Sequence, residues 1–273
     1  VTMKDTAKTT STALLIGLGG ATGAALVGLP AAGLIGSSVA VACAATLGLR
    51  LTMPQRLRDV AFGIIGISLG AGVQADALAQ VGSWSVSLFL LTLSLVATLL
   101  IGAALLRRGF GMDAETAFLA SSPGTMSNAI AIALDGHGNV TTITILQVMR
   151  LLVLVAVVPP LASALDADTG GIAYPAAMNA AALILLLVAT LCIGLPAARF
   201  KVPAACLLVG MILSAVAHVA DLAHGPAPSW AIFAAFVVTG TAVGTRLTSI
   251  SPRALLALGR PGAALIATNL AVS

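Results

Sequence analysis

The sequence predicts an all-α polytopic membrane protein, with about nine transmembrane helices plus a broken or re-entrant segment. The helices form two inverted repeats, the second truncated. Three observations carry this prediction. Hydrophobic residues make up 59% of the 273 and charged residues only 8%, with a mean hydropathy of +1.10. Soluble domains carry roughly 25% charge, and so little polar surface cannot cover the core of a chain this long. A cytosolic enzyme, a disordered chain and a secreted scaffold are thereby excluded. The second observation is a series of apolar runs of spanning length, punctuated by basic residues in twos and threes. The third is a pair of short motifs that recur at one spacing.

A spanning helix needs about 20 mostly apolar residues. Residues 1–12 are polar and read as a cytoplasmic tail rather than a signal peptide, since the apolar run after them has no cleavage-like end. Candidate spans then cover 13–28, 30–49, 60–75, 84–106, 141–165, 176–198, 203–220, 229–245 and 255–273. Gly28-Leu29-Pro30 separates the first two, because proline offers no backbone donor and clashes with the preceding turn. Trp84 and Trp230 stand at span starts, where interfacial tryptophans belong. Segment 113–134 differs from these spans: Pro123-Gly124 lies in its middle, flanked by Ser121, Ser122, Thr125, Ser127 and Asn128. The resulting domains are the 1–12 tail, a first membrane repeat with its leading helix over 13–165, and a linking helix with an incomplete second repeat over 166–273.

Lysine and arginine in short loops set orientation. If segment 113–134 crosses fully, Arg199, Lys201, Arg246, Arg253 and Arg260 fall opposite Arg50, Arg56, Arg58, Arg107 and Arg108. If it turns at Pro123-Gly124 and returns, every basic residue except Arg150 lies on one side. Asp76, Asp166, Asp168 and Asp221 then lie on the other. The charge bias favours the re-entrant segment. Pro30-Ala31-Ala32 recurs as Pro203-Ala204-Ala205, and Gly66-xxx-Gly70 as Gly240-xxx-Gly244, both 173–174 residues apart. An odd number of crossings separates the copies, so the second is inverted, as in many transporters. The counterpart of Ser121–Gly124 would fall beyond Ser273. The chain is then either a fragment or a member without that second broken segment.

Breaking a helix in a membrane frees N–H and C=O groups that need partners. Serine and threonine hydroxyls, a bound ion or a solute can supply them. The half-helix starting near Thr125 also directs free N–H groups and a positive dipole end inward, which suits an anion. A plain proline kink capped by hydroxyls is the competing reading. Arg150 is the one charge deep within an apolar run, where it needs a polar partner. It either forks onto a solute carboxylate, holds the carbonyls freed at the break, or pairs with Asp135. The candidate binding residues are therefore Ser121, Ser122, Gly124, Thr125, Ser127, Asn128, Gln147 and Arg150.

Other features read as structural. Gly17-Leu18-Gly19-Gly20 begins like a dinucleotide loop but lacks a preceding strand and lies inside a span. Close helix packing explains it better, as it does Gly66, Gly70, Gly240 and Gly244. Cys43, Cys192 and Cys206 sit in apolar stretches without CxxC spacing, and His137, His218 and His224 are scattered. No catalytic or metal site and no cofactor is expected. Asp113 and Glu115 read as a solvated helix start, acids being favoured there. The net charge of +4 comes without a nucleic-acid-binding motif, so the expected partners are the lipid bilayer and a small solute, and not nucleic acid. Homo-oligomerisation stays open.

Five stretches together resemble the membrane AbrB family, also called the AbrB duplication family. They are Leu29 through Gly36, Gly63–Gly72, Ser121-Ser122-Pro123-Gly124, Gln147-x-x-Arg150-Leu151, and Trp230–Pro261 with Gly240-x-x-x-Gly244-x-Arg246-Leu247. This family is distinct from the soluble transition-state regulator of the same name. Members usually carry Pro-Gly-Gly where Thr125 follows Gly124 here, and often an acidic residue where Asn139 stands. The resemblance implies a two-copy bacterial inner-membrane protein. Its family labels are regulation of gene expression and ammonia monooxygenase, and the copper-ligand cluster that the second requires is not present in the sequence. Two functions follow as expectations. One is a transporter-like protein for a small, anionic solute. The other is a membrane-embedded regulator acting through a cytoplasmic partner on the basic loops 50–59 or 246–260.

Overall fold

The structure is a computed structural model that describes residues 3–73, 84–122, 126–165, 176–200, 202–250 and 252–272. Among these the chain is all-helical. The helices are α1 (Met3–Leu26), α2 (Ala32–Thr46), α3 (Gln55–Gly70), α4 (Ser85–Phe110), α5 (Ala114–Ser121) and α6 (Met126–Leu134). They continue with α7 (Val140–Leu165), α8 (Ala180–Arg199), α9 (Ala205–Val219), α10 (Ser229–Gly244), a 3-10 turn (Thr245–Ser249), α11 (Pro252–Ala257) and α12 (Gly259–Val272).

Five described helices are long and apolar enough to cross a membrane: Thr6–Leu26, Ser85–Phe110, Val140–Ala164, Ala180–Arg199 and Ser229–Thr248. α2 and α9 are apolar but have only 15 residues each. Three boundaries depart from the sequence expectation. Helix α1 is regular from Met3 rather than from residue 13, since nothing in the polar stretch breaks it; Ser11 and Thr12 turn their hydroxyls back to the Lys8 carbonyl. Helix α3 runs from Gln55 rather than residue 60, launched by Pro54 in an extended conformation. The predicted span 255–273 is divided between α11 and α12, because Pro261 has no N–H for the carbonyl four residues back.

The described helices cluster into two compact units. One comprises residues 1–79 and 155–245, the other 80–154 and 246–273. In the first unit small residues bring backbones together. A Cβ on Gly66 would collide with the Leu207 carbonyl of α9, and one on Gly240 with the Leu34 carbonyl of α2. Gly70 meets the Met211 carbonyl in the same way, and Gly244 the Ser38 carbonyl, 2.8 Å from where its Cβ would sit. Gly20 on α1 and Gly36 on α2 face each other's carbonyls. Gly17 meets the Thr241 hydroxyl, while Gly19 and Gly23 have open space. Side chains join the same surfaces: the Ser214 hydroxyl of α9 donates to the Ile67 carbonyl of α3 at 2.7 Å. Before α2 and α9 the backbone adopts one unusual conformation twice, at Ala31 (φ 48°, ψ 38°) and Ala204 (φ 49°, ψ 39°). A left-handed alanine costs roughly 1–2 kcal/mol, so its occurrence after each Pro30-type proline marks a required turn.

The second unit surrounds a cluster formed by Leu106, Ala117, Leu119, Ala120, Ile143, Leu146 and Leu265. These residues come from α4, α5, α7 and α12. Apolar burial there stabilises the unit at about 25 cal/mol per Å². It also fixes α5 against α7, which sets the geometry of the candidate site.

Candidate functional site

Helix α5 starts under tight control. Asp113 is its N-cap, extended at φ −62° and ψ 154°, and its carboxylate accepts from the Thr116 N–H at 2.8 Å. That donated hydrogen bond, with the Thr116 side chain adding to it, holds the Asp113 carboxyl below the usual carboxylate range against a smaller opposing effect of burial. The Thr116 hydroxyl accepts from the Asn139 N–H at 2.7 Å. Gly138, at φ 93°, makes that approach: a Cβ there would lie 2.9 Å from the Thr116 hydroxyl. On the exposed rim His137 Nδ1 stands 3.3 Å from Glu115 Oε1. The chain that leaves α6 thus returns to the start of α5, so segment 113–134 folds as a helical hairpin with its two ends together. Asn139 then accepts from the Thr142 N–H at 3.0 Å and caps α7.

The far end of α5 is held by α7. A helix leaves its last carbonyls without intrahelical partners, and buried ones need others. The Phe118 carbonyl accepts from the Ser122 N–H at 3.0 Å. Gln147, 1% exposed, donates through Nε2 to the Leu119 carbonyl at 2.8 Å. Arg150 donates to the Ser121 carbonyl at 3.3 Å and to the Ser122 carbonyl at 3.0 Å. Residues 147 and 150 are three apart and share one face of α7. The cation also sits at the negative end of the α5 dipole. Ser122 leaves the helix in an extended conformation (φ −57°, ψ 129°), as a residue before proline must.

The structure therefore brings four of the sequence-derived site residues together: Ser121, Ser122, Gln147 and Arg150. Of the alternatives for Arg150, holding the carbonyls at the break is the one whose bonds are present. Asp135 lies beyond the C-terminal end of α6, next to the chain that returns to Thr116, and so at the opposite end of the hairpin from Arg150. Asn128 is exposed on α6. Gly124, Thr125 and Pro123 lie outside the described residues, as does the side chain of Ser127. Among the described residues no group of three or more His, Cys, Asp or Glu is placed to hold a metal ion.

Sequence reasoning missed three participants. Thr116 closes the hairpin with Asn139. The spacing of Asn139 before an apolar run is an N-cap signal. Gly102 on α4 is the third: a Cβ there would lie 2.7 Å from Leu265 Cδ1 and 3.1 Å from the Ser121 hydroxyl. Ser121 is 1% exposed, and its hydroxyl has no hydrogen-bond partner.

Comparison with known proteins gives a family model described as Transition state regulatory protein AbrB, which matches residues 33–273. A curated protein of Escherichia coli (strain K12), named "Putative regulator AbrB", is 23% identical over 226 residues. The alignment covers 80% of this chain and 64% of that protein, so the chain spans less than two thirds of the relative's length. No solved structure matches.

Proposed function

The chain belongs to the AbrB family, and on that premise we propose that it is an integral bacterial inner-membrane protein that carries a small anionic solute. The observation that carries this reading is the interrupted hairpin α5–α6, with Arg150 on the carbonyls at the interruption. An arginine within an apolar run of spanning length is costly and is retained where it does something. A guanidinium has five N–H donors, of which the two bonds described here use only part. The remaining donors, with Asn128 exposed on α6, give an incoming anion groups to bind.

Features that fit an inverted repeat support the same reading. Ala31 and Ala204 share one left-handed turn, and the glycine contacts are reciprocal: α3 of the first copy seats on α9 of the second, and α10 of the second on α2 of the first. Gly20 and Gly194 likewise pack each leading helix onto its successor. Inverted repeats with interrupted helices place binding sites near the bilayer midplane. The second reading, a membrane-embedded regulator with a cytoplasmic partner, draws on the name of the Escherichia coli relative. Pull-down from membranes with loops 50–59 and 246–260 neutralised separates the two. A regulator loses its partner, whereas a carrier keeps a solute-dependent rise in melting temperature.

A further inference from the structure

We propose that His218 binds a proton that latches loop 220–228 onto the end of α9: the charged ring holds the loop, and the neutral ring releases it. His218 is half-buried in the last turn of α9, and both of its ring nitrogens face acceptors. Nδ1 lies 2.7 Å from the Ser214 carbonyl oxygen and 3.4 Å from the Ser214 hydroxyl. That hydroxyl donates its proton to the Ile67 carbonyl of α3, so toward the ring it only accepts. Nε2 lies 3.0 Å from the Gly225 carbonyl oxygen. A neutral imidazole has one N–H and an imidazolium has two. Only the charged ring therefore bonds both carbonyls. The neutral ring sets a lone pair against one carbonyl oxygen or the other.

The latch holds more than the loop. The Pro226 carbonyl accepts from the Met178 N–H at 3.0 Å, and Gly225, at φ 78°, packs so closely on the Ala176 carbonyl that a Cβ would collide with it. Met178 and Ala227 belong to the apolar cluster of Ile67, Leu183 and Ala231. His218 thereby ties α9 to the chain entering α8 and to the cover of that cluster. Among the described residues, Asp221 and His224 are the other titratable groups of the loop, both exposed and 3.5 Å apart. The end of α3 beside Ser214, Ile67–Gly70, has none, and its Arg56, Arg58 and Asp59 lie two turns or more away. Residues 176–179 and the start of α10 have none, and α8 carries only Arg199 at its far end. On the expectation drawn from the basic residues, this loop lies on the face opposite the basic loops. The proton concentration of that face then sets the latch, as histidine switches do between about pH 5 and pH 8.

Amide hydrogen exchange of the purified full-length protein, corrected for the intrinsic effect of pH, tests this at the Met178 N–H. In the wild type its protection should fall about tenfold from about pH 5 to about pH 8, the worth of one hydrogen bond to a charged donor. His218→Gln should remove that fall, and His224→Gln should keep it. The nitrogen resonances of the His218 ring give a second readout that needs no variant at this position. They should show both nitrogens protonated where Met178 is protected, and lose one proton in step with the protection. Protection that stays constant across the range in the wild type would overturn the proposal. So would a fall that persists undiminished in His218→Gln, or a ring already neutral while Met178 stays fully protected.

Discussion

Arg150 donates to the carbonyl of Ser122 at 3.0 Å, and through its other terminal nitrogen to that of Ser121. One α7 side chain therefore closes the end of α5. Hydrogen bonds from a charged donor contribute about 1.5–3 kcal/mol each. Arg150→Ala should lower stability by roughly 3 kcal/mol, read as melting temperature in detergent. Arg150→Lys should fall between, since an ammonium keeps the charge but not the planar fork. Full stability in the alanine variant would remove the brace from the account.

Gly66 and Gly240 should be equally intolerant of a methyl group. Each faces a backbone carbonyl on another helix, which cannot rotate away as a side chain can. Gly66→Ala and Gly240→Ala should each destabilise by about 1–3 kcal/mol through overpacking. Gly19→Ala is the internal control. It has nothing within 4 Å, and alanine is favoured over glycine in a helix by about 1 kcal/mol, so this variant should melt at or above the wild type.

The start of the hairpin should respond to acid in a defined direction. Asp113 is held below the usual carboxylate range by the Thr116 N–H. A carboxylate with a depressed folded-state pKa contributes stability that is fully present above its unfolded value and is lost as pH falls through the folded one. Melting temperature followed downward from pH 5 should therefore drop more for the wild type than for Asp113→Ala. At neutral pH the alanine variant should already be weaker by about 1 kcal/mol, the worth of an N-cap. Asp113→Asn should retain most of the cap without the pH dependence.

Glu115 and His137 should be reached from the same side of the membrane. Their side chains stand 3.3 Å apart, although the hairpin α5–α6 separates them in sequence. Cysteines placed singly at the two positions should react with a membrane-impermeant thiol reagent from the same face in oriented vesicles. Labelling from opposite faces would mean that segment 113–134 crosses fully.

Much of this arrangement was legible in the residues. Pro30-Ala31-Ala32 and Pro203-Ala204-Ala205 could be paired because the motif includes the strained turn itself. The meeting of the two ends of segment 113–134 agrees with the expectation drawn from the basic residues, which sort to one side if the chain turns back within that segment. Other contacts were not legible. Thr116 and Asn139 are distant in sequence and meet only after the hairpin closes, and neither residue type advertises a partner. Gly102, Ser121 and Leu265 come from three helices, and their adjacency depends on how α12 packs. Averaging hydropathy over 255–273 also concealed the break at Leu258, three residues before Pro261, since apolar neighbours outweigh one missing N–H.

The most direct measurement of the central claim is thermal unfolding of the purified full-length protein across a panel of small anionic metabolites, run for the wild type and Arg150→Lys. If the α5–α6 break is an anion site, at least one metabolite raises the wild-type melting temperature with saturable dependence and acts far less on Arg150→Lys. A metabolite that stabilises both proteins equally, or a panel in which none stabilises the wild type, contradicts the claim.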